Sequence, residues 1–422
     1  MAVIDLNGDH KLDLATVNNF ADNVTVFAGT GAGTFASPTV YVVGDRPSWV
    51  AAGDLNGDGL PDLAVVNTNS HTVTLLETPL TAAAHFRMRI VPTTTTAGIT
   101  FQVTVTALDA DNRLMTGYAG SVSFTSSDGA ALLPAVYRFT AADQGVHRLT
   151  ITLHTAGSQS ITAHAGAATG SASIDVVAAA ANHLQVAAAT ATAGTPFDVT
   201  VTARDPFGNL ATSFHGTVHF ATTDHATGIA LPGDYTFTAG DNGSHTFAQE
   251  VTLVTAGVRT IMVTDPPVTG PNGSTPVAVH AAAASQLFIS APTSVTAGTP
   301  FSATVTAKDP YNNIATGFTG TVHFASSGNS ALPADYTFVP GDLGIHKFTS
   351  PILQTAGPQS LTVSAPACSD GVQNGINVKP GAAAQLAILG QPTNAFAATP
   401  LHPAVTVQVE DAYSNLVAAG VG

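Results

Sequence analysis

Residues 101–107 read Phe-Gln-Val-Thr-Val-Thr-Ala, so Phe101, Val103 and Val105 alternate with Gln102, Thr104 and Thr106. A period of two puts one set on a buried face and the other on a solvated face, which predicts a strand. The pattern returns at Phe197 to Ala203 and at Phe301 to Ala307, each time just after Ala-Gly (Ala97-Gly98, Ala193-Gly194, Ala297-Gly298). A fourth, decayed copy runs from Ala404 to Asp411. Tight reversals follow at Asp205-Pro206-Phe207-Gly208-Asn209, Asp309-Pro310-Tyr311-Asn312-Asn313 and Asp411-Ala412-Tyr413-Ser414-Asn415, built from the residues that turns favour. Further strand signals recur in step: Val122-Ser123-Phe124, Val218-His219-Phe220 and Val322-His323-Phe324, then Tyr137, Tyr235 and Tyr336, each two residues before a Phe. The last strands follow Thr-Ala-Gly at Thr155, Thr255 and Thr355. About seven short strands in roughly 100 residues predict an immunoglobulin-like sandwich.

The first part of the chain has a different period. Asp13-Leu14-Ala15-Thr16-Val17-Asn18 matches Asp62-Leu63-Ala64-Val65-Val66-Asn67, and Asn23 to Phe27 matches Thr72 to Leu76. With strands also expected at Thr39 to Val43 and Trp49 to Ala52, a period of about 50 residues with four strands per unit points to propeller blades. Fewer than two such units are present, too few to close a ring, and they would leave a sheet edge exposed.

Each unit carries an acidic nine-residue loop, Asp5 to Asp13 and Asp54 to Asp62. Side-chain oxygens fall at positions 1, 3, 5 and 9: Asp5, Asn7, Asp9 and Asp13 in the first, Asp54, Asn56, Asp58 and Asp62 in the second. Position 7, Lys11 or Leu60, would offer its backbone carbonyl. Such a set suits a hard cation, Ca²⁺, which takes six to eight oxygen ligands. The alternative is a pair of Asx-rich turns without metal. Gly59 suits a backbone position needing positive φ, where the first loop has His10. Position 9 is Asp and no helix flanks the loops, which sets them apart from EF-hands.

Composition narrows the partners. The 422 residues hold 12 Lys plus Arg against 27 Asp plus Glu, a formal net charge of −15, with only 9% charged. Such a chain lacks the basic footprint for nucleic acid or anionic membranes. No apolar run approaches the roughly 20 residues of a membrane span. Cys368 is the single cysteine, so no intrachain disulfide forms, and it reads as a tolerated thiol rather than a nucleophile. No signal peptide opens the chain, which runs from Met1 straight into the first loop. The expectation is a fragment of a longer exported polypeptide.

The loops resemble those of the FG-GAP/VCBS repeat family, whose propeller blades carry Asp-x-Asn-x-Asp-Gly-x-x-Asp calcium loops. That resemblance covers residues 1–79. From residue 84 onward, the Val-Thr-x-x-Asp-x-x-x-Asn … Gly-x-Val-x-Phe arrangement resembles bacterial Ig-like domains of surface adhesins, although Arg113 stands where the later units have Asn209 and Asn313. The resemblances imply an all-β chain of partial β-propeller blades followed by tandem immunoglobulin-like β-sandwiches. The expected divisions are 1–79, 84–180, 181–283, 284–384 and a truncated 385–422.

Other polar residues read as parts of the fold. His147, His245 and His346 recur with Asp143, Asp241 and Asp342 in every unit, whereas a catalytic site needs a single constellation. His219 and His323 are expected on solvated strand faces. Asp205 with Asn209, and Asp309 with Asn313, read as turn caps, with interdomain Ca²⁺ as the alternative. Phe207, Tyr311 and Tyr413 share a turn position and either face a ligand or are buried at domain junctions. The leading expectation is a non-catalytic stalk segment of a secreted or cell-surface bacterial protein, each unit spanning roughly 35–45 Å. The alternatives are an adhesin-type module binding polysaccharide or a host protein, and an accessory region of a large exported enzyme.

Overall fold

The computed structural model describes residues 1–56, 60–78, 83–109, 112–266, 270–390 and 406–417. Among these residues regular structure is strand, apart from 3₁₀ turns at Ala141–Asp143, Ala239–Asp241 and Pro340–Asp342. The all-β expectation holds. By internal contacts the chain divides into two units. The first comprises Met1–His183, Ala203–Phe214 and Ala239–Gly243, and the second Leu184–Thr202, His215–Thr238 and Ser244–Gly422.

The first unit opens with a four-stranded antiparallel sheet, β1 (Ala2–Ile4), β2 (Asp13–Asn18), β3 (Asn23–Phe27) and β4 (Thr39–Val42), in sequence order. A three-stranded sheet follows, β5 (Pro47–Gly53), β6 (Asp62–Asn67) and β7 (Thr72–Leu76). Ala15, Val24 and Val26 from the first, with Leu6 from the loop after β1, pack with Val50, Leu63 and Val65 from the second in one small core.

Next comes a two-sheet sandwich. One sheet has the order β13-β10-β8 and the other β12-β11-β14-β15-β9. The strands are β8 (His85–Val91), β9 (Thr94–Thr96), β10 (Thr100–Leu108), β11 (Ser121–Ser126), β12 (Tyr137–Arg138), β13 (Val146–Thr152), β14 (Gly157–Ala165) and β15 (Ala168–Val177). The alternation read in the sequence sets the inner face of β10. Phe101, Val103 and Val105 are buried with Ile151, Phe139, Ile161 and Ile174, while Gln102 is exposed. Each large side chain so buried contributes about 1.5–3 kcal/mol. With no disulfide available, this burial carries the sandwich.

The same two-sheet plan recurs farther along the chain. His183–Ala188, Phe197–Arg204 and Ser244–Val251 form a three-stranded sheet, and Phe247 meets Phe220 of the five-stranded sheet edge-on at 4.7 Å. The next copy pairs Gln286–Ser290, Ala303–Lys308 and Ile345–Phe348, opposite a five-stranded sheet that contains Thr321–Ser326 and Gly357–Ser364. Their shared core includes Val305, Phe338, Leu361 and Ile376, with Cys368 partly buried against it. Burial raises the Cys368 thiol pKa, which keeps it protonated and poorly nucleophilic. Gln385–Gly390 and Thr406–Glu410 form a last antiparallel pair.

Candidate functional site

In the first acidic loop Asp5 is the hub. Its Oδ1 accepts the backbone N–H groups of Asn7 (3.2 Å), Gly8 (2.7 Å) and Asp9 (3.2 Å), and its Oδ2 accepts that of His10 (2.7 Å). The Asn7 side chain accepts the Asp9 N–H, and Asp9 accepts the Lys11 N–H. Lys11 Nζ also stands 3.5 Å from the Asp9 carboxylate. His10 takes φ +63°, so the position where the second loop has Gly59 is left-handed even with a side chain. The donors are hard oxygens of the kind a group-two cation prefers, but they are turned on the loop's own N–H groups. Among the described residues no three His, Cys, Asp or Glu side chains gather as a metal-holding group.

The ninth-position aspartates do the same work in both loops. Asp13 accepts Leu6 N–H at 2.8 Å and Gly29 N–H at 2.7 Å, and Asp62 accepts Leu55 N–H at 3.0 Å and Thr78 N–H at 2.7 Å. Both are fully buried. Each therefore ties the loop entrance to the end of a later strand. Asp54 and Asn56 are exposed and Leu60 is half-buried. Asp58, with Gly57 and Gly59, lies outside the described residues.

A cavity of about 430 Å³ opens beside these loops. Asp5, Asn7, His10 and Leu60 line it from the loop side, and Asp109, Arg113 and Tyr118 from the sandwich side. The first sandwich's turn thus faces the acidic loops, where the later turns do something else.

At those later turns each asparagine clasps the preceding repeat. Asn209 Nδ2 donates to the His154 carbonyl at 2.7 Å, and its Oδ1 accepts Ala156 N–H at 2.9 Å. Asn313 binds Val254 O and Ala256 N in the same way, and Asn415 binds Gln354 O and Ala356 N. The turn aspartate orders each asparagine. Asp309 accepts Tyr311 and Asn313 N–H on one oxygen, and Asn313 Nδ2 and Ala282 N–H on the other. The fourth turn residue is left-handed throughout, at Asn112, Gly208, Asn312 and Ser414. Phe207, Tyr311 and Tyr413 sit at the junctions against Gly98, Gly194 and Gly298, each still partly exposed. Phe207 also stacks on His154, ring centroids 4.4 Å apart.

One partner escaped sequence reading. Asp128 accepts His154 and Thr155 N–H and the Thr155 hydroxyl, so it holds from within the corner that Asn209 grips from outside. Burial pushes its carboxyl up, but these bonds and that from Ala130 N–H outweigh it and hold the pKa at about 2. Asp224 repeats this on Val254 and Thr255. The signal was present as Ser126-Ser127-Asp128 and Thr222-Thr223-Asp224, whereas the third repeat has Ser326-Ser327-Gly328.

The recurrent histidines serve the fold. His147 Nδ1 pairs with Asp143 at 2.9 Å and stacks on Tyr137, whose hydroxyl also donates to Asp143. Asp342, His346 and Tyr336 repeat the set, and Tyr235 stacks on His245. His219 and His323 are solvent-facing and bonded to Asp234 and Asp335.

A model of the FG-GAP-like repeat matches residues 5–65, the stretch containing both acidic loops. A search of curated proteins finds no match. Among solved structures the chain is similar to FdeC, an adhesin of Escherichia coli, at 21% identity and TM-score 0.34, over 70% of this chain and 98% of that one. It is also similar to invasin, a bacterial integrin-binding protein, at 17% identity and TM-score 0.30, over 72% of this chain and 62% of invasin. For the surface-layer protein rSbsC the values are 16% and 0.23, over 100% of this chain and 54% of that one. No helix among the described residues is long and apolar enough to cross a membrane.

Proposed function

We propose that this chain is a non-catalytic structural segment of a secreted or cell-surface protein, with calcium-binding propeller-type blades of the FG-GAP/VCBS kind followed by a stalk of Ig-like repeats. The supporting observation is the clasp made three times over by Asn209, Asn313 and Asn415. A catalytic centre needs one set of unlike groups. Here the recurring polar side chains are spent on turns, strand edges and repeat junctions.

In the first loop Asp5, Asn7, Asp9 and Asp13, with the Lys11 carbonyl, would hold Ca²⁺. In the second the holders would be Asp54, Asn56, Asp58 and Asp62 with the Leu60 carbonyl. The ion would neutralise carboxylates crowded into one turn. Extracellular modules bind at about 10⁻⁴–10⁻³ M, which suits calcium levels outside cells.

Calorimetric titration of the full chain with Ca²⁺, and melting with and without EDTA, test the calcium reading. A flat response in both discards it. The structural reading is tested by Asn209→Ala, Asn313→Ala and Asn415→Ala combined. Distances between spin labels on successive repeats should broaden while each repeat stays folded, and unchanged distances would discard the stalk.

The cavity beside the first loop favours a second reading, an adhesin-type module for polysaccharide or a surface protein. It gathers Asp5, His10, Asp109, Arg113 and Tyr118 around one space. Glycan-array binding that disappears in Arg113→Ala would support it.

A further inference from the structure

The two N-terminal sheets meet so as to leave two matching faces open. Cross-strand pairing puts Ala2, Ala15 and Val26 on one face of the β1–β4 sheet, with Val17 and Val24 beside them. That face packs on Val50, Leu63 and Val65 of the β5–β7 sheet. The internal repeat aligns Ala15, Val17, Val24 and Val26 with Ala64, Val66, Val73 and Leu75. Pairing of Ala64 with Leu75 and Val66 with Val73 places these four on the outer face of the β5–β7 sheet. Equivalent residues thus have opposite fates: Val24 and Val26 are 0% and 8% exposed, Val73 and Leu75 59% and 54%. Trp49, paired with Val66, adds to that outer face at 67% exposed.

The converse holds on the other sheet. Val50, Leu63 and Val65 align with Met1, Leu14 and Thr16. The β1–β4 face opposite the core carries Leu14 and Thr16 together with exposed Val3, Val40 and Val42. The chain therefore builds one junction of inner face upon inner face, and its two outer faces are the unmatched halves of another.

We propose that a second copy of this chain seats the outer face of its β1–β4 sheet on the outer face of the β5–β7 sheet. The occupant follows from the junction already present, whose two sides these faces repeat. Exposed Val3, Val40, Val42, Trp49, Val73 and Leu75 are uncharged, so burying these side chains strips no ion of water even in a chain of net charge −15. An exposed apolar patch of this kind marks an association surface. Because the two faces differ, the contact is heterologous, and copies add head to tail until a ring closes or a filament grows.

Sedimentation velocity of the full chain over the micromolar range tests this. The expected result is mass that rises with concentration, with a blue shift of Trp49 emission, the only tryptophan. Val73→Asp with Leu75→Asp, and separately Val3→Asp with Val42→Asp, should each give a monomer of unchanged circular dichroism. Mixed together, each variant retains one open face of opposite kind, so a dimer should return and grow no further. If either pair of aspartates unfolds the protein, threonines at the same positions replace them. A wild-type chain that stays monomeric overturns the proposal. So does a mixture that stays monomeric, or a variant that dimerises alone, since that contact would be isologous or lie elsewhere.

Discussion

The Asn313 side chain reaches back 59 positions along the chain to donate to the Val254 carbonyl at 2.7 Å. The same amide group's oxygen accepts Ala256 N–H at 2.9 Å, so one planar group satisfies an acceptor and a donor two residues apart. Asn313→Ala leaves both without protein partners, and an unsatisfied buried group costs about 1–3 kcal/mol. The expected outcome is faster amide exchange at Ala256 with little change inside the cores. Asn313→Asp should lie between, because it keeps an acceptor for Ala256 but loses the donor and sets a second carboxylate beside Asp309. Exchange at Ala256 unaltered by either change would sink this account.

Gly194 is under Tyr311 and has φ +75°, so a Cβ there would overlap the phenol ring while straining the backbone. Gly194→Ala should cost roughly 1–3 kcal/mol, as overpacking does. Adding Tyr311→Ala removes the overlap but not the strain, so the double variant should recover only part of the loss. Full recovery in thermal melts would mean that the left-handed backbone costs nothing here.

Much of this was legible beforehand. The Asp-x-x-x-Asn turns and the Thr-Ala-Gly strand starts both recur in the sequence, and alternation at Phe101, Val103 and Val105 predicts their burial. What the sequence withheld was that the first motif grips the corner at the second, because docking joins residues over 50 positions apart. Arg113 stood out as a departure, and its turn faces the acidic loops rather than a preceding sandwich. Phe207, Tyr311 and Tyr413 could not be assigned to ligand or junction from residue type alone. Their placement over Gly98, Gly194 and Gly298 puts them at junctions. Asp128 recurs as Asp224 but gives way to Gly328 in the third repeat, and a motif kept in two repeats does not name its partners.

Acid should loosen the repeats through their bound aspartates. At Asp143 burial pushes the carboxyl up, but bonds from Thr140 N–H, His147, the Thr140 hydroxyl and Tyr137 outweigh it and hold it at about 2. Asp128 and Asp411 are also held at about 2. An unfolded Asp titrates near about 3.9, so the folded values are depressed. Their contribution is complete above about pH 4 and is lost as pH falls through about 2. Melting temperature should be flat from neutral pH to about 5 and then drop. Asp128→Asn should be less stable at neutral pH and show a shallower acid drop. An equal drop in variant and parent would exclude Asp128 as a contributor.

Ser414 holds the left-handed turn position, φ +61°, that Gly208 occupies in an earlier repeat. A non-glycine residue there pays about 1 kcal/mol of backbone strain. Ser414→Gly should therefore raise the stability of the last junction, read as slower exchange of the Ala356 amide bound to Asn415. Faster exchange would mean that the serine side chain, which also accepts from Gln385 at 3.0 Å, contributes more than the strain removes.

The two roles of the acidic loop can be pulled apart at Asp9 and Asp13. Asp13 is buried and holds the Leu6 and Gly29 N–H groups, so Asp13→Ala strips two internal donors at once. That loss, about 2–6 kcal/mol for two unsatisfied groups, should already appear in EDTA, because the bonds involve no ion, and in calcium the loss of a ligand should add to it. Asp9 is exposed, and its carboxylate accepts the Lys11 N–H with Lys11 Nζ nearby. Asp9→Ala should therefore barely move the melting temperature in EDTA. If the loop holds a cation, the variant should instead lose most of the calcium-induced rise, since a neutral methyl replaces a charged ligand. A calcium-induced rise equal in Asp9→Ala and parent would take the first loop out of the calcium reading and leave Asp5, Asn7 and Asp9 as a chain of Asx turns, whatever Asp13 costs.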